Sequence, residues 1–146
     1  MSPEPAVASI TRHLNDVRRR IRRYRPHELV DALADGAVVV DIRPADLRAT
    51  TGHIPQSVVI ERNVLEWRLD PTSPWRIAQV GPPPPPIIIV CHEGYASSLA
   101  AAALQEVGLN EIGDLEGGIV GWIRAGLPVS AHPAGDHSAP GARTDS

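Results

Sequence analysis

The 146-residue chain contains one cysteine, no phenylalanine, no lysine, three tryptophans and two tyrosines. A single cysteine excludes an internal disulfide and any zinc site built from several thiolates, and it is typical of a reducing compartment. No apolar run approaches the length that spans a bilayer, and the first residues lack the apolar core of a signal peptide. We therefore expect a cytoplasmic protein with no membrane partner, no metal and no other cofactor.

The composition is otherwise that of a globular protein. Apolar residues make up 42% of the chain, which is enough for a core, and that core must be aliphatic. The net charge of -3 gives no overall attraction to nucleic acid. We expect a leader and an arginine-rich helix over residues 1–23, one folded domain over 24–130, and a disordered tail over 131–146 that has little to bury.

Residues 9–24 carry an apolar stripe at helical spacing, which predicts an amphipathic helix. The stripe consists of Ile10, Leu14, Val17, Ile21 and Tyr24. Six arginines lie off it: Arg12, Arg18, Arg19, Arg20, Arg22 and Arg23. The pattern favours a helix that packs its stripe on the domain and solvates its arginines, but it leaves open a protein partner at this surface. Nucleic acid is not expected, because no aromatic residues interleave for base stacking.

From residue 26 onward, predicted helices alternate with short apolar strands. The helices are predicted over 26–35, 45–50, 62–69 and 119–125, and the strands over 37–41, 57–60, 87–90 and 111–115. A further helix is predicted in the alanine-rich run that starts at the two serines, with Ser97 or Ser98 as its N-cap and Gly108 as its stop. This alternation predicts a parallel sheet covered on both faces. Sites in such sheets form beyond the carboxyl ends of the strands, where Asp41, Arg43 and Cys91 lie.

The central feature is the passage from the apolar run 87–90 through Cys91 into a helix. Backbone N–H groups of the turn and of the helix end point toward such a sulfur and favour its thiolate. Gly94 allows the loop to bend tightly. A lone cysteine beside apolar residues is usually inert, but this placement predicts a nucleophile.

Four motifs in this order resemble the rhodanese-like (sulfurtransferase) family, from about Tyr24 to Val129. They are Val38-Val39-Val40-Asp41-Ile42-Arg43, Gly52-His53-Ile54-Pro55, Cys91-x-x-Gly94-x-x-Ser97, and Leu115-Glu116-Gly117-Gly118-Ile119 followed by Trp122 and Gly126-Leu127-Pro128. The resemblance implies an α/β fold with about five mostly parallel strands and helices on both faces.

The resemblance also implies a sulfurtransferase that works without a cofactor. Cys91 would take sulfane sulfur from a donor, thiosulfate or a thiol persulfide, and pass it as a persulfide to a thiophilic acceptor such as a thiol. The substrate-binding loop would be His92, Glu93, Gly94, Tyr95, Ala96 and Ser97. Asp41 and Arg43 would support the site structurally.

The loop differs from that of many active members, which carry a basic or hydroxyl residue where Ala96 stands. Glu93 adds a negative charge, and two unit charges about 6 Å apart repel by roughly 3 kcal/mol at an effective dielectric of about 20. We therefore expect weak thiosulfate activity, with Arg62 and Arg68 as candidate anion receptors. The alternative is a non-catalytic binding or redox-sensing module acting through oxidation of Cys91. Phosphatase chemistry is not expected, because the six-residue loop is short and lacks a terminal arginine.

Overall fold

The computed structural model describes residues 6–131, so the first five residues and almost all of the predicted tail lie outside the described part. Six helices are present: α1 Ser9–Arg18, α2 Pro26–Ala34, α3 Ala45–Thr51, α4 Leu65–Leu69, α5 Ala96–Val107 and α6 Gly118–Arg124. Five strands alternate with them: β1 Arg22–Tyr24, β2 Val38–Asp41, β3 Val58–Val59, β4 Ile87–Val90 and β5 Ile112–Leu115. The predicted α/β class is confirmed. Within residues 6–131 no helix is long and apolar enough to cross a membrane.

All strand pairs in the sheet are parallel, in the order β1-β5-β4-β2-β3. β4 lies in the centre and pairs with β2 in a register that sets Asp41 opposite Val90. The strands are rich in β-branched residues, which pack well on a pleated surface. Because β2 and β4 run in the same direction, Asp41 and Cys91 reach the same edge of the sheet.

The core lies on both faces of the sheet, as the continuous apolar strand predicts. Ile87 and Ile89 of β4 point into one cluster together with Cys91 and residues of α1, α4 and α5. Ile88 and Val90 point into the other cluster together with residues of α2 and α6. The loop that begins at Cys91 therefore follows a strand that is packed on both faces of the sheet.

The predicted helix over residues 9–24 is wrong in its second half. α1 ends at Arg18, and residues 22–24 form the edge strand β1, which pairs with β5. Tyr24 is buried in the cluster on the face opposite Val17, which a single helical stripe does not allow. The spacing misled because a strand residue three positions after Ile21 also fits a helical period. The sheet thus begins inside the predicted arginine-rich segment.

Candidate active site

The Cys91 thiol lies directly after β4 and is almost fully buried, with 6% of the residue exposed. Its Sγ accepts hydrogen bonds from the backbone N–H of Gly94 at 3.2 Å and of Ser97 at 3.3 Å. Ser97 is in the first turn of the 12-residue helix α5, so the helix N-terminus also faces the sulfur. Both N–H groups and the helix dipole favour a negatively charged sulfur.

Ser97 and Ser98 do not cap α5 as predicted. The helix begins at Ala96, and both hydroxyl groups donate to the Oδ2 atom of Asp114, at 2.8 Å and 2.7 Å. Asp114 lies in β5 with no exposed surface, and the Arg23 Nε atom donates to its Oδ1 atom at 3.0 Å. A buried carboxylate therefore fixes the helix turn whose N–H contacts the sulfur. The sequence favoured a serine N-cap for α5 because serine is common at the N-cap position of helices.

Backbone packs directly on backbone where α6 meets the Cys91 loop. The N–H groups of Ile119 and Val120 donate to the carbonyl oxygens of Cys91 and His92, at 3.0 Å and 3.1 Å. At Gly118, a Cβ atom would lie 2.5 Å from the His92 oxygen, so the approach requires glycine. Gly118 of the fourth motif therefore allows α6 to pack directly against the backbone of the Cys91 loop.

A cavity of about 400 Å³ opens beside the sulfur. Its lining residues are Ile42, Arg43, Pro44, Leu47, Arg62, Cys91, His92, Glu93, Tyr95 and Ala96. The volume is within the range of small-molecule sites, and the mixed lining can hold both an organic group and a polar end.

The two arginines of the cavity are engaged by carboxylates. Arg43 is buried against Asp41, with Nη2 2.8 Å from Oδ2, and also donates to Thr51 and to the Gly52 carbonyl. Arg62 forms a 2.8 Å ion pair with Glu66 on a partly exposed surface. Such an exposed pair is weak, so Arg62 is the arginine that can more easily turn to an incoming anion.

A comparison of the sequence with protein families identifies the family of this chain. The model of the rhodanese-like domain family matches residues 25–125. The chain belongs to the rhodanese-like domain family.

This rhodanese-like chain is also similar to one sulfurtransferase sequence and to several solved structures. A sulfurtransferase of Allochromatium vinosum is 32% identical over 106 residues, covering 70% of this chain and 89% of the relative. A protein of unknown function and possible tyrosine phosphatase from Rhodopseudomonas palustris is 28% identical, with a TM-score of 0.74 over 89% of this chain and all of that one. A rhodanese-related protein of Thermoplasma volcanium is 28% identical, with a TM-score of 0.61 over 76% of this chain and 99% of that one.

The structure brings the predicted loop residues of this rhodanese-like domain to the cavity, except two. Gly94 and Ser97 are buried, and each gives its N–H to the sulfur rather than lining the cavity. Asp41 lies beneath Arg43, and its carboxylate oxygens also accept from the backbone N–H and Nε atoms of Arg43. Their supporting role stays a prediction, and the geometry agrees with it.

Arg68 does not line the Cys91 cavity. It is buried at the end of α4, where its Nη1 atom donates to the Trp75 carbonyl at 2.6 Å. Burial lowers the pKa of the Arg68 guanidinium through desolvation. Arg68 was one of two predicted anion receptors, but its side chain lies away from the cavity. Arg62, the other candidate, lines the cavity.

Three residues that hold the loop or the start of α5 were missed from sequence: Asp114, Arg23, and Arg18, whose Nη2 atom donates to the Gly94 carbonyl at 2.7 Å. The signal for Asp114 was a carboxylate inside the otherwise uncharged strand Ile112–Leu115, where a buried charge needs a partner. Arg18 and Arg23 were hidden among six arginines with no local sign of which would turn inward.

Proposed function

We propose that this protein is a sulfurtransferase that carries sulfane sulfur as a persulfide on Cys91. The observation that carries the proposal is the Cys91 Sγ atom, which accepts two backbone N–H groups and borders a cavity of about 400 Å³. Sulfur transfer needs a polarisable, ionised nucleophile in an anion-tolerant setting, and backbone donors supply that setting without a metal. The sulfurtransferase of Allochromatium vinosum supports the reaction class.

The reaction is written as two displacements. The Cys91 thiolate attacks the outer sulfur of a donor R–S–SH, a new S–S bond forms, and the donor S–S bond breaks with its electron pair leaving on RS⁻. The product is Cys91–S–SH. An acceptor thiolate then attacks the outer sulfur of this persulfide, takes it as R′S–SH, and returns Cys91 as a thiolate. Each step balances without an added oxidant or reductant.

A persulfide carried on a low-molecular-weight thiol fits this cavity better than thiosulfate. Arg43 is committed to Asp41 and Arg62 is paired with Glu66, while Glu93 lines the same space. A dianion therefore meets the Glu93 carboxylate, and Arg62 can offset that repulsion only by leaving its Glu66 partner. Ile42, Pro44 and Leu47 offer apolar contact to the organic part of a thiol. Such a donor would also suit the reducing compartment that we expect from the single cysteine.

The test is intact-mass spectrometry of the full chain after exposure to thiosulfate or to a thiol persulfide. We expect a gain of one sulfur atom that disappears when an acceptor thiol is added and is absent in Cys91→Ser. No sulfur adduct with either donor, while Cys91 still reacts with iodoacetamide, would overturn the proposal. Reversible oxidation of Cys91 would then favour the redox-sensing module, and turnover of aryl phosphates that depends on Cys91 would favour phosphatase chemistry.

A further inference from the structure

Two arginines from the segment that precedes the family match hold the back of the Cys91 loop. The Nη2 atom of Arg18, at the end of α1, donates to the Gly94 carbonyl at 2.7 Å. The Nη2 atom of Arg23, in β1, donates to the same oxygen at 3.0 Å. Since the family model matches residues 25–125, neither arginine belongs to the matched region.

Each guanidinium also contacts the start of α5 or its support. The Arg18 Nε atom donates to the Ser98 hydroxyl at 3.0 Å, and its guanidinium lies 5.5 Å from the centre of the Tyr95 ring. Arg23 binds Asp114 through Nε at 3.0 Å and Nη2 at 3.3 Å. The loop carbonyl and the first turn of the helix are thus joined through two cations.

The position of Gly94 makes these contacts relevant to the sulfur. Its N–H donates to the Cys91 Sγ atom at 3.2 Å, so a change in the Gly94 backbone moves a donor of the sulfur. Its carbonyl belongs to the next peptide unit, and because that unit is planar and trans, the Tyr95 N–H points away from the arginines. Holding this oxygen therefore fixes the direction of the Tyr95 N–H and limits rotation of the Gly94 backbone that carries the sulfur's donor.

The charges behind the Cys91 loop favour an anionic sulfur, as the hydrogen bonds to the loop do. Residues 91–96 contain no arginine or lysine, and Glu93 is their one carboxylate. Arg18 and Arg23 bring two positive charges against the loop, and the buried Asp114 compensates one of them. A net positive charge behind the loop favours an anionic sulfur in front of it.

We propose that Arg18 and Arg23 are positioning residues for Cys91, which hold the Gly94 carbonyl and supply from behind the positive charge that the loop itself lacks. The proposal rests on the proposed function only in taking Cys91 as the reacting group. It assigns two inward-facing arginines of the predicted docking surface to the site, while Arg12, Arg19 and Arg20 stay exposed.

The first test measures alkylation of Cys91 by iodoacetamide across pH in Arg18→Gln, Arg18→Lys and the matched control Arg19→Gln. Arg19 is the next residue along the chain and exposed, so its substitution removes the same charge without a loop contact. A unit charge roughly 8 Å from the sulfur at an effective dielectric of about 40 is equivalent to about fivefold in thiolate population. We expect Arg18→Gln to slow alkylation by up to about fivefold on the rising limb of the pH–rate profile, where the rate follows the thiolate population. Arg19→Gln should change the rate less than twofold, and Arg18→Lys should recover part of the loss.

This readout separates positioning from stability and from sulfur transfer. Thermal unfolding of each variant shows whether the fold is retained, and alkylation needs no sulfur donor. Equal rates in Arg18→Gln and Arg19→Gln would overturn the proposal. A rate loss that accompanies a large fall in Tm and is not recovered by lysine would overturn it as well. Failure to form a persulfide, with the alkylation pattern intact, would count against the proposed function alone.

The second test addresses Arg23, whose single substitution would leave the buried Asp114 unpaired. The double variant Arg23→Gln, Asp114→Asn removes both charges of the pair and keeps hydrogen-bonding groups at each position. We expect alkylation to fall because the Gly94 carbonyl loses one of its charged donors, even though the net charge is unchanged. An alkylation rate within twofold of the wild type in this folded double variant would remove Arg23 from the proposal.

Discussion

Replacement of Glu93 by glutamine should raise thiosulfate turnover, because it removes a carboxylate from the lining of the Cys91 cavity. Glu93 is exposed, so an effective dielectric of about 60 is more suitable than the value for a buried group. At about 6 Å, one unit charge then repels each charge of the donor by about 0.9 kcal/mol, and a dianion by about 1.8 kcal/mol. The exposure of Glu93 thus lowers the repulsion per donor charge from the roughly 3 kcal/mol expected from sequence.

The predicted gain depends on the salt concentration. The Debye length is about 30 Å at about 0.01 M and about 8 Å at about 0.15 M, so the donor repulsion falls to about 1.5 and about 0.9 kcal/mol. Steady-state kinetics should therefore show kcat/KM for thiosulfate rising about tenfold in Glu93→Gln at low salt and about fourfold at the higher salt. A thiol persulfide, with at most one charge on the reacting sulfurs, should respond about half as strongly on a logarithmic scale.

The matched control is Glu106→Gln, which removes the same charge from an exposed position near the far end of α5. It should leave kcat/KM unchanged within about twofold, because about ten helical residues, roughly 15 Å, separate it from the loop and two charges at that distance interact weakly through water. An unchanged kcat/KM in Glu93→Gln, an equal gain in the control, or a gain that does not shrink with salt would refute the electrostatic reasoning.

Three further substitutions test the support of the site. Gly118→Ala should lose about 2–4 kcal/mol of unfolding free energy in urea, because its Cβ collides with loop carbonyls, while Gly126→Ala, also at positive φ but with nothing within 4 Å, should lose about 1 kcal/mol. Asp41→Asn should cost about 3–5 kcal/mol by the same measurement, because it leaves the buried Arg43 charge unpaired, and a loss below about 1 kcal/mol would contradict this. Ala96→Arg should raise kcat/KM for thiosulfate about tenfold at low salt, since it places a cation in the cavity lining, and no gain would show that charge does not limit this donor.

The strands β2 and β4 could be predicted because each contains three or four consecutive branched apolar residues. The residues of β4 are buried on both faces, which leaves few alternatives to a central parallel strand. The edge strand β1 could not be predicted in this way. It has three residues, and its pairing with β5 depends on partners about ninety positions away. Local periodicity contains no information on such a contact.

The reacting cysteine and its loop were predictable from the sequence, and the residues behind the loop were not. Cys91 and its loop follow from one strand–loop–helix passage, so local sequence identifies them, whereas half of the cavity lining comes from residues 42–62. Arg18, Arg23 and Asp114 meet behind the loop from three different elements, and the hydrogen bonds from Arg18 to Gly94 and Ser98 join residues 76 and 80 positions apart. The prediction that Ser97 caps α5 failed for the same reason, since Asp114 competes for its hydroxyl from β5.

The charges around Cys91 lie on opposite sides of the sulfur, and this arrangement can be tested directly. Arg18 contacts the loop from behind, whereas Glu93 lines the cavity in front. Iodoacetamide is neutral, so each charge changes its reaction with Cys91 only through the thiolate population. Arg18→Gln should slow alkylation and Glu93→Gln should accelerate it, each by about fourfold at low salt.

The double variant should then return to within about twofold of the wild-type rate, because the two removed charges have opposite signs. Substitution of Glu106 in place of Glu93 gives the matched control, and that double variant should stay as slow as Arg18→Gln alone. A Glu93→Gln, Arg18→Gln variant that is also as slow as Arg18→Gln would mean that the Glu93 charge affects the sulfur only while Arg18 holds the loop, so that the two charges do not act independently. Non-additivity of that kind is expected where two residues share one backbone element, and the cycle measures it.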